Sequence, residues 1–235
     1  MYRVVLAMPT RQRTTKSESI KRGRPLQGEA ESYRQRILDV TTAVFLEKGF
    51  ERASTNEIAR RAQTSKQTLY TLFPTKADLF VGVMTAHTEQ LFSRHVHYIQ
   101  SEKAPRQVLT EIGNIVLHTF SAPEFLALHR IVVAEIHRFP DLARTLWREC
   151  VERGNDLLAE YLQSRQIGGP HYGKSAAQFI SFILGDFVIN AMLNPDLVLS
   201  ERAVRARVRQ AVEDFLTLHP LPDAQKQASR NGHRR

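Results

Sequence analysis

From about residue 31 to residue 218, apolar side chains recur at three- and four-residue spacing, and strict two-residue alternation is nowhere sustained. That is the pattern of an all-α protein. The first periodic run puts Ile37, Val40, Thr41, Val44 and Phe45 on one face of a helix. Gly49 should end it as a left-handed cap, with Phe50 folding back. Ser54-Thr55-Asn56-Glu57 predicts the next helix start, since Glu57 stands three residues after Ser54 as a capping box requires. Ile58, Ala59 and Ala62 give that helix one small apolar face. Gln63-Thr64-Ser65 breaks it, and Ser65 can cap a third helix running to Phe73. Pro74 starts the exit, and Thr75 caps a fourth helix through Leu79, Phe80 and Val83. Further helices are predicted over 76–101, 104–120, 123–137, 140–165, 173–193 and 200–218. They are punctuated by Pro105, Pro123, Pro140, Gly168-Gly169-Pro170 and Asn194-Pro195, with proline at helix starts and glycine after helix ends as expected.

The short helices around residues 55–73 fit a helix-turn-helix, whose second helix enters the DNA major groove. Ile58, Ala59, Ala62, Leu69 and Phe73 can pack into one small core, and the two alanines let the helices cross closely. With Leu69 and Phe73 turned inward, Lys66, Gln67, Tyr70 and Thr71 form one exposed stripe. A cation, an amide, a phenol and a hydroxyl with a methyl all suit base edges or phosphates.

Charge sharpens this picture. The net charge is +9, and it is unevenly placed. Residues 1–28 hold seven Lys/Arg against one acid, and residues 219–235 four against one. Residues 29–80 hold eight against seven, and residues 81–218 fourteen against fifteen. The expected organisation is therefore a disordered basic arm (1–28), a helix-turn-helix DNA-binding domain (29–80), a ligand-binding and dimerisation domain (81–218) and a basic disordered tail (219–235). Basic arms are attracted to polyanions. In the first arm Lys21-Arg22-Gly23-Arg24-Pro25 resembles the AT-hook core, in which Arg22 and Arg24 would lie in a narrow A·T minor groove. A nonspecific basic linker is the alternative.

The segment TNEIARRAQTSKQTLYTLFPTKADLF, residues 55–80, resembles the DNA-binding domain of the tetracycline-repressor (TetR) family of bacterial regulators. The resemblance is carried by Thr55, Ile58-Ala59, Ala62, Ser65, Thr68-Leu69-Tyr70, Phe73, Lys76 and Asp78-Leu79. Residues 119–165 more loosely resemble the C-terminal domain of the family's AefR-like branch. The resemblance implies a DNA-binding set of Thr55, Ser65, Lys66, Gln67, Thr68, Tyr70, Thr71 and Lys76. Thr55 would bind a phosphate at the helix N-terminus. Lys66 and Tyr70 would meet backbone or a base edge, and Lys76 would clamp a phosphate. Four positions depart from the family, Thr64 standing where a valine is usual. Gln67 replaces a small residue, which suggests a direct contact to adenine worth ~1–3 kcal/mol of discrimination. Gln63 replaces the turn glycine, at a cost on the order of 1 kcal/mol if it is left-handed. Leu72 stands where a phosphate-touching side chain is common, so that role does not carry over.

Other signals are weaker. Gly168–Ser175, GGPHYGKS, satisfies the phosphate-loop pattern, but the preceding LLAEYLQSRQI is amphipathic helix rather than the required strand. His95 and His97 lie on opposite sides of one helix, and His129 and His137 lack a third ligand, so no metal site is expected. No catalytic motif appears, and the chain is not read as an enzyme or as needing a cofactor. The single cysteine, Cys150, excludes an internal disulfide and reads as a small core residue. No apolar run reaches the ~20 residues of a membrane span. The start MYRVVLAMPTRQR is not read as a signal peptide, Met1 and Met8 both being candidate starts, so a cytoplasmic protein is expected.

In the helical remainder, Phe120, Phe125, His129, Trp147, Phe179 and Phe182 are candidates to line an apolar effector pocket. The 173–193 helix is apolar almost all round, as buried helices are. TetR-like proteins pair their last two helices with a partner's, which implies a homodimer. Ala177, Ile180, Ser181, Leu184 and Val188 would supply that face, with Val204, Val208 and Val212. The expected function is a dimeric repressor on near-palindromic double-stranded DNA, released by a small apolar effector whose message the 76–101 helix carries. An architectural nucleic-acid-binding protein working through basic arms is the competing reading. The near-neutral body and the discrete stripe weigh against it.

Overall fold

The computed structural model describes residues 27–222, Arg94 and Pro195 excepted. Arg22 and Arg24, with the rest of residues 1–26, and the tail from residue 223 lie outside the described residues. Those described form twelve α-helices and one π-helical segment, with no strand.

The first four helices are α1 (Gln27–Arg52), α2 (Thr55–Arg61), α3 (Lys66–Leu72) and α4 (Lys76–Ser93). Ile58, Ala59, Ala62, Leu69 and Phe73 are all buried, as their spacing predicts. They share a core with Ile37, Val44 and Phe45 of α1 and Phe80 of α4. Gly49 does take a positive φ (73°), but its ψ is 172°, extended rather than left-handed helical. The chain therefore reverses sharply, and Phe50 stacks 5.7 Å from Phe45 and meets Phe80 edge-on at 5.5 Å.

The capping box expected at Ser54 does not form: the Ser54 side chain makes no cap hydrogen bond. Glu57 is drawn instead to two cations, Lys48 of α1 and Arg61 one turn further along α2. A reciprocal box forms instead at the start of α4. The Asp78 N–H donates to Thr75 Oγ1 (3.1 Å), and the Thr75 N–H donates to Asp78 Oδ2 (2.9 Å).

Helix α4 runs through residue 80, and the head's core continues beyond it into Val83, Met84, Phe125, Leu128, Leu142 and Leu146. The later helices are α5 (His95–Gln100), α6 (Pro105–Ser121), α7 (Pro123–Glu135) and α8 (Pro140–Leu146). A π-helical segment (Trp147–Glu152) then leads into α9 (Arg153–Ser164), followed by α10 (Tyr172–Leu184), α11 (Phe187–Leu193) and α12 (Glu201–Leu218). Pro105, Pro123 and Pro140 each open a helix, as predicted. The second core joins α6, α9, α10 and α12 through Leu117, Leu162, Phe179, Ile183, Val208 and Phe215.

The single helix predicted over 173–193 is two helices bent by 45° at Gly185. Gly185 adopts φ 44°, ψ −127°, which disfavours any side chain. Arg207 of α12 fills the space a Cβ would need, and donates to the Ile183 carbonyl (2.6 Å), the Leu184 carbonyl (2.7 Å) and Asp186 (3.1 Å). The broken helix end is thus satisfied from across the bundle. The 76–101 prediction is likewise divided, α4 ending at Ser93 and α5 starting at His95.

The turn between α2 and α3 is where sequence and strain meet. Thr64 N–H donates to the Ala59 carbonyl (2.9 Å) and Gln63 N–H to the Arg60 carbonyl (3.2 Å), the bond pair of a Schellman turn. Gln63 sits at φ 52° in the position that favours glycine. A non-glycine residue there costs ~1–2 kcal/mol, against the ~0.5–1 kcal/mol that glycine loses in chain entropy. Gln63→Gly should therefore stabilise the protein by about 0.5–1 kcal/mol, raising Tm by roughly 1–4 °C. Gln63→Ala should give no gain. Thermal unfolding followed by circular dichroism distinguishes the two.

Candidate DNA interface and effector cavity

Helix α3 starts at a well-made cap: Ser65 Oγ accepts from the Thr68 N–H (3.0 Å) and pairs with Thr68 Oγ1 (2.7 Å). Ser65 and Thr68 therefore fix the start of the recognition helix with the groups expected to reach DNA. Inward Leu69 and Phe73 leave Lys66, Gln67, Tyr70 and Thr71 on the exposed side. Lys66 Nζ lies 5.8 Å from the Tyr70 ring centroid. Tyr70 Oη and Thr55 Oγ1, at the start of α2, are hydrogen-bonded at 3.0 Å. The two helix starts thus present a joined pair of hydroxyls beside a cation. Thr71 donates its hydroxyl back to the Gln67 carbonyl (2.9 Å), which leaves its methyl as the outward group. Leu72 is 40% exposed and brings no polar group.

Lys76, expected as a phosphate clamp, is held by contacts within the head. Its ammonium donates to the Glu51 (2.9 Å) and Ala53 (3.3 Å) carbonyls and lies 4.8 Å from the Phe50 ring centroid. Burial pushes its pKa down. It ties the start of α4 to the end of α1. Other contacts not foreseen from sequence hold the head. Arg61 bridges Glu47 and Glu57, Tyr33 of α1 pairs with Thr64 of the turn, and Arg138 grips Glu51 through both oxygens. The Arg138 hydrogen bonds hold the Glu51 carboxyl below the usual carboxylate range.

In the helical half, a cavity of about 280 Å³ lies among α5, α6, α7, the π segment, α9, α10 and α11. Phe120, His129 and Trp147 line it, as do Ile112, Ile115, Tyr98, Cys150, Asn155 and Tyr161. The other three pocket candidates do not. Phe125 stands behind the wall, 5.0 Å from Phe120 and 6.1 Å from His129. Phe179 packs on Phe215 in the core (5.2 Å), and Phe182 packs against the same core. No Asp, Glu, Lys or Arg is in the wall. Burial lowers the His129 pKa, so its imidazole is neutral at neutral pH, and burial raises that of the Cys150 thiol, which stays protonated and a poor nucleophile.

The expected dimer face also changes. Val204, Val208 and Val212 are each 1% exposed, within the protomer's own core, because α12 turns that side onto α6 and α10. Ile180, Leu184 and Val188 line the cavity. Of that set, Ser181 is exposed and Ala177, Ile180, Leu184 and Val188 are half-buried. The Gly168–Ser175 loop joins two helices, and Ser175 Oγ donates to the Gly168 carbonyl (2.5 Å), so this is no phosphate loop. Among the described residues, no group of three His, Cys, Asp or Glu is placed to hold a metal, and no single helix is long and apolar enough to cross a membrane.

A helix-turn-helix head with an exposed recognition stripe, joined to a helical domain that holds an apolar cavity, defines a helix-turn-helix transcriptional regulator. The chain belongs to the TetR family: residues 37–83 match the tetR family of bacterial regulatory proteins, and residues 107–219 match the C-terminal domain of AefR-like transcriptional repressors. An uncharacterised helix-turn-helix regulator of Mycobacterium tuberculosis is 25% identical over 77% of this chain and 86% of its own. The AcrR regulator of Shigella flexneri is 22% identical over 80% and 91%. Among solved structures, a regulator of Mesorhizobium loti assigned to the TetR family superposes with a TM-score of 0.70 at 23% identity, covering 81% of this chain and 98% of its own. The flavonoid-responsive regulator FrrA superposes with a TM-score of 0.62 at 27% identity, covering 82% and 98%.

The inward turn of Lys76 separates two roles that sequence alone merges. Lys76→Ala should destabilise the protein by about 1–3 kcal/mol, through the lost charged hydrogen bonds and the ring contact. Its effect on the salt dependence of DNA binding should be small. Lys66→Ala should leave stability nearly unchanged and reduce the salt slope by about one unit. Urea unfolding and DNA titrations at several salt concentrations check both.

Proposed function

We propose that this protein is a dimeric, sequence-specific DNA-binding repressor, released from a near-palindromic operator by a small apolar effector. The observation that carries the DNA half is the stripe on α3. Gln67 and the Thr71 methyl offer base contacts, while Lys66 and the Tyr70–Thr55 pair offer backbone contacts. The AefR-like repressor match supports repression. The cavity supports effector control, since it is apolar, concave and near the lower end of ligand-pocket sizes of roughly 300–1,000 Å³. The flavonoid response in the name of FrrA supports a ring-bearing effector.

A path from cavity to head supports release. Trp147, Cys150 and Val151 of the π segment line the cavity, and Leu142 and Leu146, immediately before them, are buried in the head's core. Cys150 Sγ meets Thr88 of α4 at 4.0 Å. A ligand that moves the π segment therefore acts on the packing of α4 and α1, and through them on the spacing of two recognition helices in a dimer. Dimerisation would use what α10 and α12 leave exposed or half-buried: Ala177, Ile180, Ser181 and Leu184, with Ala206, Gln210 and Thr217 on the far side of α12 from its buried valines.

Two experiments test this reading. Selection from random duplexes should return a near-palindrome, and Gln67→Ala should relax preference at one position per half-site, with a loss of about 1–3 kcal/mol of discrimination there. Equal affinity for random and selected DNA would favour the architectural alternative. Ser181→Arg should give a folded monomer by light scattering, with operator affinity reduced at least tenfold. A dimer that survives this change places the interface elsewhere.

A further inference from the structure

Six side chains in the cavity wall carry a polar group, and four of them are already engaged or sealed. Trp147 Nε1 donates to Glu152 (3.1 Å), and Cys150 Sγ accepts from Thr88 (4.0 Å). The hydroxyls of Tyr98 and Tyr161 are sealed within the packing, that of Tyr161 against Arg165 outside the wall. His129 of α7 and Asn155 of α9 remain. Neither side chain hydrogen-bonds to any group among the described residues, and unlike the two phenols neither is sealed.

Their places on the helices turn both inward. His129 stands four residues after buried Phe125 and three after buried Leu126, so all three share the inner face of α7. The Phe125 ring backs the imidazole, with centroids 6.1 Å apart. Asn155 stands three residues before buried Leu158 and seven before buried Leu162, on the inner face of α9. Both side chains are half-buried, and both inner faces contribute to the wall. The surface that these two polar groups keep open is therefore cavity surface.

Their chemistry sets what can fill the space between them. A primary amide carries two donors and an acceptor, and a neutral imidazole carries one of each. A hydrocarbon would strip both groups of water and answer neither. A carboxylate accepts but cannot donate, and no Lys or Arg stands in the wall to meet its charge. His129 does not supply that charge either, since burial favours its neutral form. A hydroxyl both donates and accepts, so it answers the amide in either orientation and the imidazole in either tautomer. We infer that His129 and Asn155 are the polar anchors of the cavity, and that its ligand is an uncharged, mostly apolar molecule held there through hydroxyl groups. This rests on the reading of the cavity as the effector site, and adds the residues that orient the effector within it.

Equilibrium dialysis against the full-length protein at pH 7.5 tests the inference with 2-naphthol (a neutral hydroxyl), 2-methylnaphthalene (no polar group) and 2-naphthoate (an anion). Hydrophobicity alone favours the hydrocarbon, so the reading is how the ratio of naphthol to hydrocarbon affinity responds to the wall. In the double variant His129→Leu, Asn155→Leu that ratio should fall about tenfold. The naphthol should bind more weakly, and the hydrocarbon as tightly as before or more so. Each single variant should show part of the fall. The wild-type protein should bind the naphthol at least tenfold more tightly than the naphthoate. Should a leucine variant not fold, His129→Ala and Asn155→Ala are read by the same ratio. Side chains with a merely structural role would weaken both neutral probes together. An unchanged ratio, or naphthoate bound as tightly as naphthol, overturns the inference and leaves the effector site standing. Failure of all three probes to bind overturns both.

Discussion

The helix from Pro140 to Ser164 must be buried in two cores at once. Leu142 and Leu146 pack with the aromatic residues of the head, whereas Leu158, Tyr161 and Leu162 pack with α10 and α12. At 3.6 residues per turn, Leu158 would point about 120° away from Leu146. The π segment between them has hydrogen bonds spaced five residues apart, so it turns less per residue and takes back much of that offset. The irregular stretch lets one helix serve both cores. It has no buried residue of its own, and Trp147, Cys150 and Val151 form part of the cavity wall. The cavity therefore lies where the demand for two cores prevents the helix from packing regularly.

The same region grips the head from its other side. Phe139, just before α8, meets Phe50 edge-on at 4.9 Å, and Arg138 is paired with Glu51. Both partners of that ion pair are more than half exposed, and such pairs contribute ~0–1 kcal/mol. The aromatic contact, with Phe50 packed among Phe45 and Phe80, fixes the geometry more firmly. Glu51's lowered pKa means the pair is complete at neutral pH and is lost as pH falls through that lowered value. Phe50 reaches this position only because Gly49 reverses the chain, and Lys76 holds the reversal from beneath. A turn at the end of α1 thus decides how α3 sits relative to the C-terminal helices.

Much of the head could be read from the chain because its determinants are local. The small core, the Ser65 cap, the strained Gln63 and the exposed stripe each depend on residues a few positions apart. The capping box at Ser54 failed for a nonlocal reason, as Lys48 comes from α1 to claim Glu57. The contacts of Lys76 are hidden for the same reason: the carbonyls it meets are more than twenty residues away. In the helical half, periodicity found the helices but not the partition of their faces. A helix that is apolar all round does not say which side faces core, cavity or partner, so Phe179 was read as pocket and Val204, Val208 and Val212 as interface, although all four are buried in the core. One local signal was available but ambiguous: Gly185 inside an apolar run marked the break.

Under the proposed function, affinity and specificity fall to different parts of the chain. The head from residue 29 to residue 80 is nearly neutral, and many of its cations are engaged within the fold, Lys48, Arg61 and Lys76 among them. On the recognition stripe, Lys66 is the one cation. Residues 1–28 carry seven Lys/Arg against one acid and would supply most of the salt-dependent attraction to phosphate, which is indifferent to sequence. Base choice then rests on Gln67 and the Thr71 methyl, each placed by local bonds that the effector does not touch. An effector acting on the Pro140–Ser164 helix would therefore change where the two heads stand and leave intact what each head reads. Release would come from mismatch of spacing, with the basic arm still able to hold the protein near DNA.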